Sequence, residues 1–201
     1  MNHTFQKGNN GHTLILLHGT GGNEHDLISL GKALDLNANL LGIRGNLSES
    51  GMNRFFKRFG MGSYDLESFK NESISLANFI QKLSKDYKFD LTKTTLVGFS
   101  NGANIMQGLL QHTDLIVAQY AFLSPAYIQK DKAFQTKVNH IFIATSDRDP
   151  YVKADEIHAL IEKLKSTQAH ISVLEHTGGH HLTQEVFQEL QKWYLSTKSA
   201  T

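Results

Sequence analysis

Ser100 stands in Gly98-Phe99-Ser100-Asn101-Gly102, a serine flanked two residues away on each side by glycine. A serine hydroxyl attacks a carbonyl carbon when its surroundings supply three things. A base takes its proton, a carboxylate orients that base, and N–H groups meet the negative oxygen that develops. The chain holds candidates for each. Two aspartates compete for the acid in Ser146-Asp147-Arg148-Asp149-Pro150. Asp149 is preferred, because Asp149-Pro150-Tyr151-Val152 leads into a helical pattern with proline at its start. Asp147 instead suits a pair with Arg148 or a turn cap. His180 and His181 follow Gly178-Gly179, with His176 as a weaker rival. A histidine directly after the glycine pair is best placed to turn into a site, which favours His180. The N–H donors are expected from Thr20, inside His18-Gly19-Thr20-Gly21-Gly22, and from Asn101, the residue after the serine. That glycine-rich turn lacks the Gly-Lys-Ser/Thr ending of a P-loop and the Gly-x-Gly-x-x-Gly spacing of a dinucleotide site.

These residues are useful only if the elements between them bring them to one place. Thr94-Thr95-Leu96-Val97 is short, β-branched and apolar and predicts a buried strand. Ala103 to Leu110 predicts the helix after it. Ser100 then lies on a sharp strand-to-helix turn, where the glycines relieve crowding. Thr13–Leu17, Leu40–Arg44, His140–Thr145 and Ile171–Glu175 predict further strands, and Ile116–Leu123 contains another. Their continuous apolar runs suit strands covered on both faces. Helices are expected from Asn23 (as N-cap) to Leu34, from Asp65 to Tyr87, from Tyr151 to Lys165 and from Thr183 to Leu195. Strands alternating with helices predict an α/β domain, a mostly parallel sheet with helices on both faces. Each candidate site residue follows a strand, where open α/β sheets place their sites. Residues 45–64 read as a long loop, which in a compact domain implies that it lines a site. Phe55 and Phe56 in that loop suit either core packing or an apolar acyl or aryl pocket. Arg44 suits either a buried structural role or an anchor for a carboxylate. The tail Ser196–Thr201 is expected to fray.

The 201 residues fit a single domain spanning 1–201 with a sizeable core. A net charge of +1 with no block of like charge argues against nucleic acid as a partner. The absence of cysteine removes disulfides, thiolate metal sites and a cysteine nucleophile. Scattered histidines suggest no metal site. The first residues lack the apolar stretch of a signal peptide, and no apolar run is long enough to span a bilayer, so a cytoplasmic protein without membrane attachment is expected. A homodimer is the base-rate expectation for a soluble oligomer.

Taken together, the motifs resemble those of the small bacterial carboxylesterases in the phospholipase/carboxylesterase branch of the α/β-hydrolases, akin to acyl-protein thioesterases. The resemblance covers nearly the whole chain. It rests on residues 16–24 (Leu-Leu-His-Gly-Thr-Gly-Gly-Asn-Glu), Arg44-Gly45-Asn46, Gly51-Met52-Asn53-Arg54-Phe55-Phe56, residues 98–104, Asp149-Pro150 and Gly179-His180-His181-Leu182. It implies a compact, lidless α/β-hydrolase fold with Ser100 as nucleophile, Asp149 as acid and His180 as base. The loop after Arg44 would border the pocket, no cofactor would be needed, and the substrate would be a small-molecule ester. Some members accompany aromatic-degradation or quinone-resistance systems, which brings hydroquinone-linked esters into the substrate class. The chain departs from the family at Lys153, where proline often stands. Its lack of cysteine separates it from dienelactone hydrolase, which uses a thiolate. The competing readings are a long-acyl thioesterase or lysophospholipase, and a non-catalytic relative that binds a ligand.

Overall fold

The computed structural model describes residues 1–135 and 138–198. The apolar runs form the centre of a seven-stranded sheet. In chain order its strands are β1 (His3–Gln6), β2 (Thr13–Leu17), β3 (Asn39–Ile43), β8 (Thr94–Phe99), β9 (Gln119–Leu123), β10 (His140–Ser146) and β11 (His170–His176). Their spatial order is β1-β3-β2-β8-β9-β10-β11. All neighbours pair in parallel except β1, which runs antiparallel to β3.

The period-2 geometry of a strand sends alternate side chains to opposite faces. Ile15 and Leu17 therefore join one core while Leu14 and Leu16 join the other. On the first face lie α2 (Leu66–Tyr87), α3 (Asn101–His112) and α4 (Ala154–Lys165), packed through Phe69, Leu76, Ile105, Leu109, Ile157 and Leu160. On the second lie α1 (Ile28–Leu34) and α5 (Gln184–Thr197), through Ile28, Leu34, Val186, Leu190 and Trp193. Helix starts are fixed locally: the Asp65 side chain accepts from the Ser68 N–H, and the Thr183 hydroxyl from the Val186 N–H. Each such cap contributes about 1 kcal/mol.

The chain passes from β2 outward to β3, then returns to the other side of β2 as β8. Connections on the two sides of that pair therefore diverge, which opens a crevice beyond the carboxyl ends of β2 and β8. Thr20 follows β2 and Ser100 follows β8.

Several boundaries differ from the sequence expectation. Residues 45–64 are not an unstructured loop. They fold as two small hairpins, β4 (Leu47–Glu49) with β5 (Met52–Arg54), and β6 (Arg58–Gly60) with β7 (Ser63–Tyr64). Their strands are too short and polar to register as an alternating pattern. The polar start of the chain supplies β1, held by ladder bonds to β3 and by Phe5, which stacks on Tyr87 with centroids 4.1 Å apart. Asn23 does not cap α1. Its side chain accepts from the His25 N–H in a turn, and the helix begins at Ile28. In the same way Asp149 accepts from the Tyr151 N–H, which makes a turn of residues 149–151 and delays α4 to Ala154. Of the tail, Ser196 and Thr197 end α5, while Ser199–Thr201 lie outside the described residues.

Candidate active site

The turn after β8 sets Ser100 at φ 51° and ψ −113°, a conformation that L residues rarely adopt. Two contacts explain the flanking glycines. A Cβ on Gly102 would sit 2.0 Å from the Leu17 carbonyl oxygen, and one on Gly98 would sit 2.6 Å from the Gly102 carbonyl carbon. With both absent, β8 and α3 close up against β2, and the serine side chain is left at the crevice.

Three loops converge there. His180 Nε2 lies 2.9 Å from Ser100 Oγ, and His180 Nδ1 lies 2.6 Å from Asp149 Oδ2. The carboxylate accepts only, so Nδ1 carries the proton and Nε2 is free to accept from the serine hydroxyl. Asp149 is buried, and its other oxygen accepts from the Tyr151 N–H at 2.9 Å. Ser146, at the end of β10, joins the acid loop to the histidine loop: its Oγ accepts from the N–H groups of Arg148 and Gly179, each at 3.1 Å. The imidazole is held between Phe99, with ring centroids 5.3 Å apart, and the edge of Tyr151 at 5.0 Å. Of the competing residues, Asp147 and His181 are exposed. His176 is buried, and its Nδ1 accepts from Gly178 instead.

Thr20 and Asn101 line the same cleft as Ser100 and His180. Among the described residues, neither backbone N–H donates a hydrogen bond within the protein. Both are thus available to an oxygen bound at the serine. The Asn101 side chain is used differently: its Oδ1 accepts from the buried Phe55 N–H at 2.7 Å, tying the hairpin segment to the start of α3.

Of the two roles open to Arg44, Phe55 and Phe56, the pocket role is the one they do not take, since none of them lines the cleft. Arg44 points to Glu24, which accepts from its Nε at 2.5 Å and its Nη2 at 2.9 Å. Burial pushes the Glu24 carboxyl up, and the bonds from Arg44, a backbone N–H and the nearby positive charge together more than offset this, so it lies below its ordinary range. Phe55 and Phe56 are fully buried in the core, Phe55 against His18 and Phe56 against Phe69. Burial of two phenylalanines anchors the hairpins to the sheet, and their neighbours reach the cleft in their place. The cleft, of about 370 Å³, is walled by Met52, Arg54, Arg58, Met61 and Tyr64 from the hairpins, and by Phe99, Tyr151 and Val152 opposite.

Two functional features escaped the sequence reading. His18 was one position among glycines, but its ring braces the Thr20 loop. His18 Nε2 accepts from the Gly45 N–H at 3.1 Å, so Nδ1 carries the proton and donates to the Gly19 carbonyl at 2.6 Å. Burial holds this imidazole below its ordinary pKa, in its neutral form. Arg54 is the second feature. It is 3% exposed, and it donates through Nη1 to Thr20 Oγ1 at 3.0 Å and through Nε to the Phe56 carbonyl at 3.2 Å. The one available signal was the pair of arginines four residues apart, at 54 and 58, in a segment expected to border the pocket.

No family model matches the chain. It is 37% identical over 195 residues to the putative hydrolase MhqD of Bacillus subtilis (strain 168), covering 96% of this chain and 98% of that protein. The chain belongs to the phospholipase/carboxylesterase branch of the α/β-hydrolases. Solved structures share its fold. The Bacillus cereus carboxylesterase superposes with a TM-score of 0.93 at 34% identity, covering 98% of this chain and 94% of that one. YahD, solved with malic acid, superposes at 0.92 with 27% identity and 98% coverage of both chains. The hydrolase and carboxylesterase among these relatives support hydrolase and esterase activity, with small-molecule ester substrates, for this α/β-hydrolase. Among the described residues, no helix is long and apolar enough to cross a membrane.

Proposed function

We propose that the protein is a serine carboxylesterase that works through an acyl-enzyme. The observation that carries this reading is the continuous hydrogen-bonded chain Ser100–His180–Asp149 at the mouth of the cleft. In the proposed mechanism His180 Nε2 takes the Ser100 proton as Oγ attacks the ester carbonyl. The negative charge that forms on the carbonyl oxygen is met by the Thr20 and Asn101 N–H groups. Asp149 keeps the imidazole in the Nδ1–H tautomer and stabilises the imidazolium. The tetrahedral intermediate then collapses, and His180 returns the proton to the leaving alcohol. Water, deprotonated by the same nitrogen, attacks the acyl-enzyme and releases the acid.

The size of the cleft, about 370 Å³, favours small to medium acyl groups. Tyr64, Phe99 and Tyr151 on its walls suit an aryl group, hydroquinone-linked esters among them. The test is a fluorophosphonate probe together with p-nitrophenyl acetate. Wild-type protein is expected to be labelled at Ser100 and to hydrolyse the ester, and Ser100→Ala to do neither. Unlabelled, inactive wild-type protein would refute the proposal.

A further inference from the structure

The hairpin wall of the cleft carries more positive charge than the protein itself neutralises. Arg54 and Arg58 both face the cleft. They share one carboxylate, Glu49. Its two oxygens lie 3.2 and 3.0 Å from Arg58 Nε, and Arg54 Nε is 3.4 Å from the nearer of them. The other charges around Tyr64 on this wall are Lys130 and Glu156, which bond each other at 2.7 Å. Two guanidinium groups against one carboxylate leave one positive charge. The Arg54 side chain is 4% exposed, so water solvates it poorly. Its bonds to Thr20 Oγ1 and the Phe56 carbonyl are to neutral acceptors and leave most of its five N–H groups without a charged partner. A guanidinium desolvated beside a second guanidinium is stabilised by an anion, and a planar carboxylate matches its fork of donors.

We infer that Arg54 and Arg58 form a subsite for a carboxylate on the substrate, so that the ester cleaved carries one negative charge close to its carbonyl. This rests on the esterase reading of the same cleft and specifies its substrate class. A single carboxylate is specified by the charge count, since it neutralises the wall, whereas a doubly charged phosphoryl group would overshoot. Proximity follows from the Arg54–Thr20 bond, which places this guanidinium beside the loop that meets the carbonyl oxygen. The anion therefore sits a short spacer away, as in the hemi-ester of a short dicarboxylic acid or an aryl ester with a carboxyl group on its ring.

The test compares matched pairs of esters: p-nitrophenyl hemisuccinate with p-nitrophenyl butyrate, and 3-acetoxybenzoate with its methyl ester. The wild-type protein is expected to favour the charged member of at least one pair by tenfold or more in kcat/KM. Arg58→Gln is expected to bring that ratio down at least fivefold, and Glu49→Gln, which removes the competing carboxylate, to raise it. A wild-type ratio near one in both pairs, or a ratio that Arg58→Gln leaves unchanged, overturns the subsite. Should the wild type cleave neither member of a pair and resist the fluorophosphonate, the esterase reading falls. The subsite is then decided without turnover, by calorimetry of benzoate against benzamide. Benzoate binding at least tenfold tighter, with the difference lost in Arg58→Gln, sustains it. Equal affinities refute it.

Discussion

Replacing His18 by phenylalanine keeps a ring against Phe55, whose centroid is 4.8 Å away, but removes both nitrogens. The Gly45 N–H and the Gly19 carbonyl then each lose a partner in a site where the side chain is 1% exposed. The Gly19 carbonyl keeps its bond from the Gly22 N–H, so the orphaned buried group is the Gly45 N–H, at a cost of about 1–3 kcal/mol. Near neutral pH the variant should lose that much stability in urea unfolding followed by the fluorescence of Trp193, the single and buried tryptophan. The difference should depend on pH with a definite sign. Burial lowers the folded-state pKa of His18 below the ordinary 6.5. The unfolded chain therefore binds the proton first, and the contribution of this histidine is complete above pH 6.5 and shrinks as the pH falls below it. The phenylalanine variant has no such loss. The gap between wild type and variant should thus narrow on acidification, by up to about 1.4 kcal/mol per pH unit for one proton, until the lowered pKa is passed. Ester turnover should fall at least tenfold as well, because the loop bearing the Thr20 N–H loses its brace. A variant within about 0.5 kcal/mol of wild type, with a parallel pH profile, would refute the bracing role of His18.

Further substitutions test the assignment of the acid and the base. Asp149→Asn should lower kcat by about 10⁴-fold, since an amide no longer enforces the Nδ1–H tautomer of His180. His180→Ala should abolish turnover, while His181→Ala, on an exposed ring, should keep most of it, as measured by p-nitrophenyl acetate hydrolysis. Arg44→Met should destabilise the fold by about 1–2 kcal/mol in thermal or urea unfolding by leaving Glu24 unpaired, with the value held down by the one-third exposure of Arg44. Its kcat/KM should stay within about twofold of wild type, because Arg44 lies outside the cleft.

Much of the chain was legible in one dimension because its determinants are local. Apolar runs such as Thr13–Leu17 and Thr94–Val97 specify doubly covered strands by themselves, and the glycines around Ser100 are explained by contacts within a single strand-turn-helix unit and the strand beside it. The order of serine, acid and histidine along the chain narrowed the candidates to Ser100, to Asp149 or Asp147, and to His180 or its neighbours, with Asp149 and His180 preferred. Their juxtaposition was not. His180 meets Ser100 across 80 residues and Asp149 across 31, through loops aligned by the parallel pairing of β8 through β11.

The residues around the serine were decided only by the tertiary structure. Between positions 44 and 58, arginines and phenylalanines alternate without a clear period, so neither burial nor direction can be read from spacing. Two short hairpins settle it, one of them with an irregular register between Arg58 and Gly60. They turn Phe55 and Phe56 into the core, leave Arg44 on Glu24, and aim Arg54 and Arg58 at the cleft. In a strand, a shift of one residue sends a side chain to the opposite face. That shift depends on partners far away in the sequence: Thr20 for Arg54, Gly45 for His18, Asn101 for Phe55. The turn that presents the serine is therefore a local property of this chain, and what that serine meets and can reach is a property of the contacts between its loops.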